Sequence, residues 1–246
     1  IYGIGDQHLD LILSKLKAKF KVEVELTNPR IPYRETIRKK VKVEGKHKKQ
    51  SSGRGQFGVC YLHVEPNPAM GFEFVNAIVG GSIPRQWIPS VEKGIVDRME
   101  RGVIAGYPVV DVKVTLYDGK YHDVDSSDAA FQMAGSKGFK AATEQAGPYL
   151  LEPIWNLEVV CPEDCMGDVM GDISSRRGRV QGMEASGHNQ IVRAQAPMAE
   201  LLRYAPDLNS ITGGRGTFTV SFSHYEEVPR EIQEKVVAEY KHEEEE

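Results

Sequence analysis

Apolar residues in the first twenty positions fall at Leu9, Ile12, Leu13, Leu16 and Phe20, a helical period, with Lys15, Lys17 and Lys19 facing out. Residues 22–26, V-E-V-E-L, change to the two-residue period of a strand, and Asn28-Pro29 interrupts it. One helix and one strand cannot enclose a core. Residues 1–28 therefore read as a short α/β fragment, the end of a domain whose start lies upstream.

From residue 31 to about 147 the pattern predicts strand, basic loop, strand, helix, strand, polar loop, helix. Phe57, Val59, Tyr61 and His63 alternate with Gly58, Cys60, Leu62 and Val64, as a strand requires. Pro89 suits a first helical turn, and Ile88, Val91, Ile95 and Met99 then share one face up to Gly102. Residues 109–116 are apolar enough for a central strand. Asp125 and Ser126 are placed to cap the next helix, whose inner face would hold Phe131, Ala134, Gly138, Ala142 and Ala146. Gly135 and Gly138 each cost that helix about 1 kcal/mol relative to alanine. Close packing against a sheet is the expected compensation.

Residues 148–224 predict a βαββαβ unit, with strands at 154–160, 179–184, 190–196 and 217–223. Met166, Val169, Met170 and Ile173 mark its first helix, and 197–202 a shorter second one. This order is that of a ferredoxin-like sandwich, so the fold class is α+β. Pro229 opens a last helix with Ile232, Val236 and Tyr240 on one stripe, and H-E-E-E-E follows as an acidic tail.

Composition changes little of this. At 246 residues, 40% hydrophobic and 27% charged, the chain has the make-up of a globular protein. No apolar run approaches the roughly 20 residues of a membrane span. The opening I-Y-G-I-G-D-Q has neither the cationic leader nor the apolar centre of a signal peptide. Cys60, Cys161 and Cys165 have no second Cys/His pair at zinc-ligand spacing, and are expected to be reduced core residues of a cytoplasmic protein.

Charge changes more. The net charge is -4, yet Arg38, Lys39, Lys40, Lys42, Lys46, Lys48, Lys49 and Arg54 crowd a stretch with one acid, Glu44. The glycine-laced loop expected at 45–58, G-K-H-K-K-Q-S-S-G-R-G-Q-F-G, thus concentrates a positive field suited to nucleic-acid phosphate. Gly53, Gly55 and Gly58 satisfy G-x-G-x-x-G, but a dinucleotide site needs a strand before the glycines and a helix after them. Here a lysine run precedes and a strand follows.

A second polar loop, D-G-K-Y-H-D-V-D-S-S at 118–127, offers His122, Asp123 and Asp125. They could serve a small metal-dependent hydrolase, but no further motif at ligand spacing accompanies them. An exposed loop also lacks the desolvation that perturbs catalytic groups. A histidine beside cations suits an RNA base or ribose better. S-S-R-R-G-R at 174–179 sets Arg176 and Arg177 at a helix C-terminus, where cations favour the dipole and can also meet phosphate. G-G-R-G at 213–216 reads as a turn, and neither a P-loop nor a serine nucleophile elbow is found in the sequence.

Six stretches carry a resemblance that no single motif does: G-I-G-D-Q-H-L-D-L-I-L, K-Q-S-S-G-R-G-Q-F-G, G-F-E-F-V-N-A-I-V-G-G-S-I-P, A-G-Y-P-V-V-D-V-K-V-T-L-Y-D-G-K-Y-H-D-V-D-S-S, M-G-D-V-M-G-D-I-S-S-R-R-G and G-R-G-T-F-T-V-S-F-S-H-Y-E-E-V-P. Together they resemble the C-terminal half of elongation factor G. The resemblance implies that 1–28 end a third domain and that 29–147 form a fourth, S5-like βαβ domain with protruding tip loops. It makes 148–228 a ferredoxin-like fifth domain, with a final helix and acidic tail at 229–246.

It also implies a non-catalytic portion of a translational GTPase that promotes tRNA–mRNA translocation. A ribosome-recycling or ribosome-protection paralogue would share the architecture. The implied partners are ribosomal RNA and the tRNA–mRNA pair at the decoding centre, with no membrane, for a cytoplasmic monomer. No cofactor belongs to these residues; GTP and Mg²⁺ belong to the GTPase domain of the parent. The implied RNA contacts are Lys46, His47, Lys48, Lys49, Gln50, Ser51, Ser52, Gly53, Arg54, Gly55 and Gln56 in one tip loop, and Tyr121, His122, Asp123 and Asp125 in the other. Arg176 and Arg177 would face large-subunit RNA. The two tips are expected to meet.

Overall fold

The computed structural model describes residues 6–24, 29–50 and 55–245. They gather into two compact units, residues 32–152 with 226–246 and residues 1–31 with 153–225. The first is called here the arm and the second the sandwich.

The arm is built on a four-stranded sheet in the order β2 (Val41–Lys49), β3 (Gln56–Pro66), β5 (Val112–Lys120), β4 (Glu73–Asn76). The first three strands are antiparallel and β4 runs parallel to β5. Helices α2 (Ile88–Arg101) and α3 (Asp128–Gln145) cover one face. There Val43, Leu62, Val64, Val114 and Leu116 of the sheet meet Val91 and Ile95 of α2 and Phe131 and Phe139 of α3. Strand alternation leaves Lys42, Glu44, Tyr61, His63 and Tyr117 on the opposite face. A short β1 (Arg34–Ile37) pairs antiparallel with the opening of β6 (Pro148–Pro162), Arg34 opposite Leu151 and Ile37 opposite Pro148.

Several boundaries differ from expectation. The strand expected at 109–116 starts late because Asp111 turns the chain at φ 57, and it then runs on to Lys120. β4 was not foreseen; four residues are too few to display a period. The cap of α3 is Ser127, whose side chain accepts from the Ala130 N–H at 3.3 Å, rather than Asp125 or Ser126. α7 (Arg230–Glu245) groups with the arm, where Gln233 Oε1 accepts the Leu150 N–H at 3.0 Å.

In the sandwich, β6 is flanked by β8 (Asn189–Pro197) and β9 (Thr217–Glu227), and β7 (Arg179–Ser186) pairs with β8. In chain order this is 4-1-3-2, the ferredoxin-like arrangement. Leu157, Val159 and Val192 pack beneath α4 (Met166–Ser175) and α6 (Tyr204–Thr212) through Val169, Ile173, Tyr204 and Leu208. The expected second helix at 197–202 is α5 (Met198–Leu201), and α6 follows it. Pro206 sits in the first turn of α6, where a missing N–H costs nothing.

In the same unit, α1 (Asp6–Phe20) forms as expected. The strand expected after it does not: residues 21–24 are irregular, and 25 and 26 lie outside the described residues. Lys21, at φ 58, turns the chain off the helix while its N–H bonds the Lys17 carbonyl at 3.1 Å.

All three cysteines are free and buried, and burial pushes the Cys60 thiol up to about 12. The Tyr204 hydroxyl is fully buried without a hydrogen-bond partner. A buried unpaired hydroxyl is a net cost. Tyr204→Phe should therefore leave stability unchanged or raise it by up to about 1 kcal/mol. Urea unfolding checks this, and a clear loss would mean that the hydroxyl has a partner.

Candidate nucleic-acid interface

The tip of the arm is where β2 turns into β3 and where β5 leads into α3. Both loops are shorter than expected. Lys46, His47, Lys48 and Lys49 lie on β2, Gln56 opens β3, and Asp118 to Lys120 end β5. What remains is 50–55 and 121–127; Ser51, Ser52, Gly53 and Arg54 lie outside the described residues.

The two loops are stitched together through Asp125. Its Oδ1 accepts the Gly55 N–H at 3.1 Å and its carbonyl accepts the Phe57 N–H at 2.9 Å. Ser126 Oγ donates to the Phe57 carbonyl at 2.8 Å and accepts the His122 N–H at 2.9 Å. A Cβ at position 55 would lie 3.1 Å from the Asp125 carboxylate, so any larger residue there would make that side chain shift.

His122 is exposed at the end of this bracket. Its Nδ1 accepts the Val124 and Asp125 N–H groups, each at 3.3 Å, and so carries no proton. The ring proton is then on Nε2, and the ring offers a donor. Asp125 Oδ2, 3.6 Å from Nδ1, is beyond hydrogen-bond range. Among the described residues no three His, Cys, Asp or Glu side chains are grouped to hold a metal, and Nδ1 of His122 and Oδ1 of Asp125 are engaged within the loop. Tyr121 is exposed and leans on Trp87, ring centroids 5.8 Å apart, which stacks on Phe131 of α3 at 5.2 Å.

Lys46, Lys48, Lys49 and Gln50 are exposed, as are Gln56 and Asp123. His47 is not. It shares the parity of Val43 and Gly45, faces α3 and is buried between Gln56 Oε1 at 2.7 Å and Lys137 Nζ at 3.2 Å. The expectation of an exposed RNA contact at His47 is corrected accordingly.

Arg176 likewise already has partners. Its guanidinium bonds Asp172 at 2.8 Å, Asp207 at 2.5 Å and the Glu200 carbonyl at 2.9 Å, and lies 5.2 Å from the Tyr204 ring. These pairs raise its pKa further, Asp172 foremost. Arg177 pairs with Glu200 at 3.0 Å. Both arginines act first as ties between α4 and the α5–α6 segment.

Two exposed residues of the second loop's stretch were not among the expected RNA contacts. Val124, 61% exposed, is an apolar residue held at the tip. Lys120 pairs across the sheet with Val59, whose other neighbour is Lys46, so two cations flank one position. Register, invisible in one dimension, makes that cluster.

No helix among the described residues is long and apolar enough to cross a membrane. The family model of elongation factor G domain IV matches residues 29–147, and that of the elongation factor G C-terminus matches 149–236. A crystal structure of a protein from Thermus thermophilus is 44% identical to the chain and superposes with a TM-score of 0.87. That match takes in 98% of this chain and 36% of the other, so the chain spans about a third of that protein's length. The stitched tip loops, the 4-1-3-2 sandwich and these matches converge on one conclusion: the chain belongs to the elongation factor G family and carries its domain IV and C-terminal regions.

Proposed function

We propose that these residues are the ribosome-binding arm of a cytoplasmic, monomeric translational GTPase, and that the arm's tip meets the tRNA–mRNA pair during translocation. The observation that carries the reading is the Asp125 bracket, which joins the glycine- and serine-rich loop at 50–55 to the polar loop at 121–127, beside exposed Lys46, Lys48 and Lys49. Lysines grip phosphate without reading sequence, and a nearly side-chain-free backbone can approach RNA closely. A factor that serves every codon needs such a grip. GTP and Mg²⁺ would act in the GTPase portion of the parent, and its hydrolysis would lock the arm forward. Within the arm, His122 Nε2–H would donate to the RNA, and Arg54 would neutralise phosphate.

The test is single-round translocation by the full-length factor. Arg54→Ala with His122→Ala should slow it roughly tenfold, about 1.4 kcal/mol of barrier, with folding unchanged. An unaltered rate would overturn the proposal, and slowed subunit splitting with normal translocation would point to a recycling factor instead.

A further inference from the structure

We infer that the open face of the arm's sheet is a second RNA surface, one that takes single-stranded RNA by stacking its bases on Tyr61 and Tyr117. It goes beyond the tip-loop reading and does not depend on it.

Helices α2 and α3 pack on the other face of the sheet, and Lys42, Glu44, Tyr61, His63 and Tyr117 face away from them. The register of β3 and β5 shifts between Tyr61 and Leu62, so that Tyr117 is an extra residue on β5 opposite Tyr61. Such a bulge re-aims a side chain. Here it sets two tyrosine rings side by side, half-buried, with centroids 6.2 Å apart and planes tilted by 39°. The Tyr61 hydroxyl donates to Glu44 at 3.3 Å, which fixes that ring, and Lys42 Nζ lies 5.5 Å from the centre of the Tyr117 ring.

The charge around this platform is positive where the chain is otherwise acidic. Lys42, Lys46 and Lys48 project at alternate positions of β2, about 7 Å apart between neighbouring alternates, and make no ion pair among the described residues. Lys120 adds a fourth cation on β5. Of the nearby acids, Glu44 is engaged with Tyr61, Glu73 pairs with Lys113 at 3.1 Å, and Asp118 accepts the Gly119 N–H at 2.8 Å.

Aromatic rings on an open sheet beside a row of lysines fit a strand whose bases are free to lie flat. Duplex bases are already stacked inside the helix, so a duplex could use the lysines but not the rings. The occupant is therefore a single strand.

Fluorescence anisotropy with the 246-residue chain and a labelled oligouridine of about 12 nucleotides tests this, against an RNA duplex of equal length. Tyr61→Leu with Tyr117→Leu keeps apolar bulk and should weaken single-strand binding about tenfold, whereas Tyr61→Phe with Tyr117→Phe should restore it. Lys42→Gln with Lys46→Gln should weaken binding and lower its salt slope by roughly 1.4. Unchanged thermal midpoints certify folding. The inference is overturned if the wild-type chain binds no single strand, if the leucine variant binds as wild type does, or if the duplex binds equally well. Loss of binding only in Arg54→Ala with His122→Ala would leave the tip reading standing and remove this one.

Discussion

Glu35→Ala is expected to lower the thermal midpoint of the arm by roughly 10 °C, from about 4 kcal/mol of lost stability. Glu35 is fully buried, and its carboxylate collects the backbone of the loop that follows α2. Oε2 accepts from Val103 at 2.7 Å and Ile104 at 3.0 Å, and Oε1 from Ala105 at 2.9 Å and Tyr107 at 3.2 Å. Alanine would strip the acceptor from four amides in the interior, each worth about 1–3 kcal/mol if left unpaired and partly relaxed by loop movement. Glu35→Gln keeps one carbonyl oxygen but turns an NH₂ toward donors, so its loss should be smaller.

The same site sets a pH dependence. Burial raises the Glu35 pKa above the usual carboxylate range, and the four donors pull it back only in part. The folded chain then holds that proton more tightly than the unfolded chain. The contribution is complete below the unfolded value, about 4.3, and is lost as pH rises through the folded one. The difference in unfolding free energy between wild type and Glu35→Gln should therefore shrink from about pH 4 to pH 7. Urea titrations at both pH values read it. A difference that grows with pH would show that the amides outweigh burial.

Much of the architecture was legible where periodicity was long. The ferredoxin-like order followed from four strand segments and two helices, one amphipathic and one short, and the inner face of α3 from Phe131, Ala134, Ala142 and Ala146. At the tip, charge masked period. K-H-K-K reads as a solvated run, yet positions 43, 45 and 47 alternate inward, and that parity already placed His47 against α3. Asp172, one turn before Arg176, was a visible partner on the same helix. Asp207 and Glu200 were not, because only the packing of α4 on the α5–α6 segment brings them there. The Asp125 bracket was beyond reach for the same reason: it joins residues 70 positions apart.

Gly94→Ala is expected to destabilise the arm by about 3 kcal/mol, although alanine alone would favour the helix by about 1 kcal/mol. A methyl group on Gly94 of α2 would fall on the Gln132 carbonyl of α3, well inside 3.0 Å, and its three nearest neighbours are all backbone atoms of Gln132. No rotamer change can relieve that overlap; the helices must separate. The contact is reciprocal, since a Cβ on Gly135 would lie 2.5 Å from the Val91 carbonyl. On the next turn Gly138 faces Gly45 of β2, Cβ to Cα at 2.9 Å, so α3 is clamped between a helix and a strand by glycines. Of the two glycines expected to pack on a sheet, Gly138 does so and Gly135 meets α2 instead. Because α3 continues directly from the 121–127 loop, a displaced α3 would also pull Asp125 from Gly55. Gly171→Ala in α4, where nothing lies within 4 Å, is the internal control and should stabilise by roughly 1 kcal/mol. Urea unfolding of the two variants gives opposite signs if the clamp is as tight as these distances require; a stabilising Gly94→Ala would mean that α2 and α3 have room to spare.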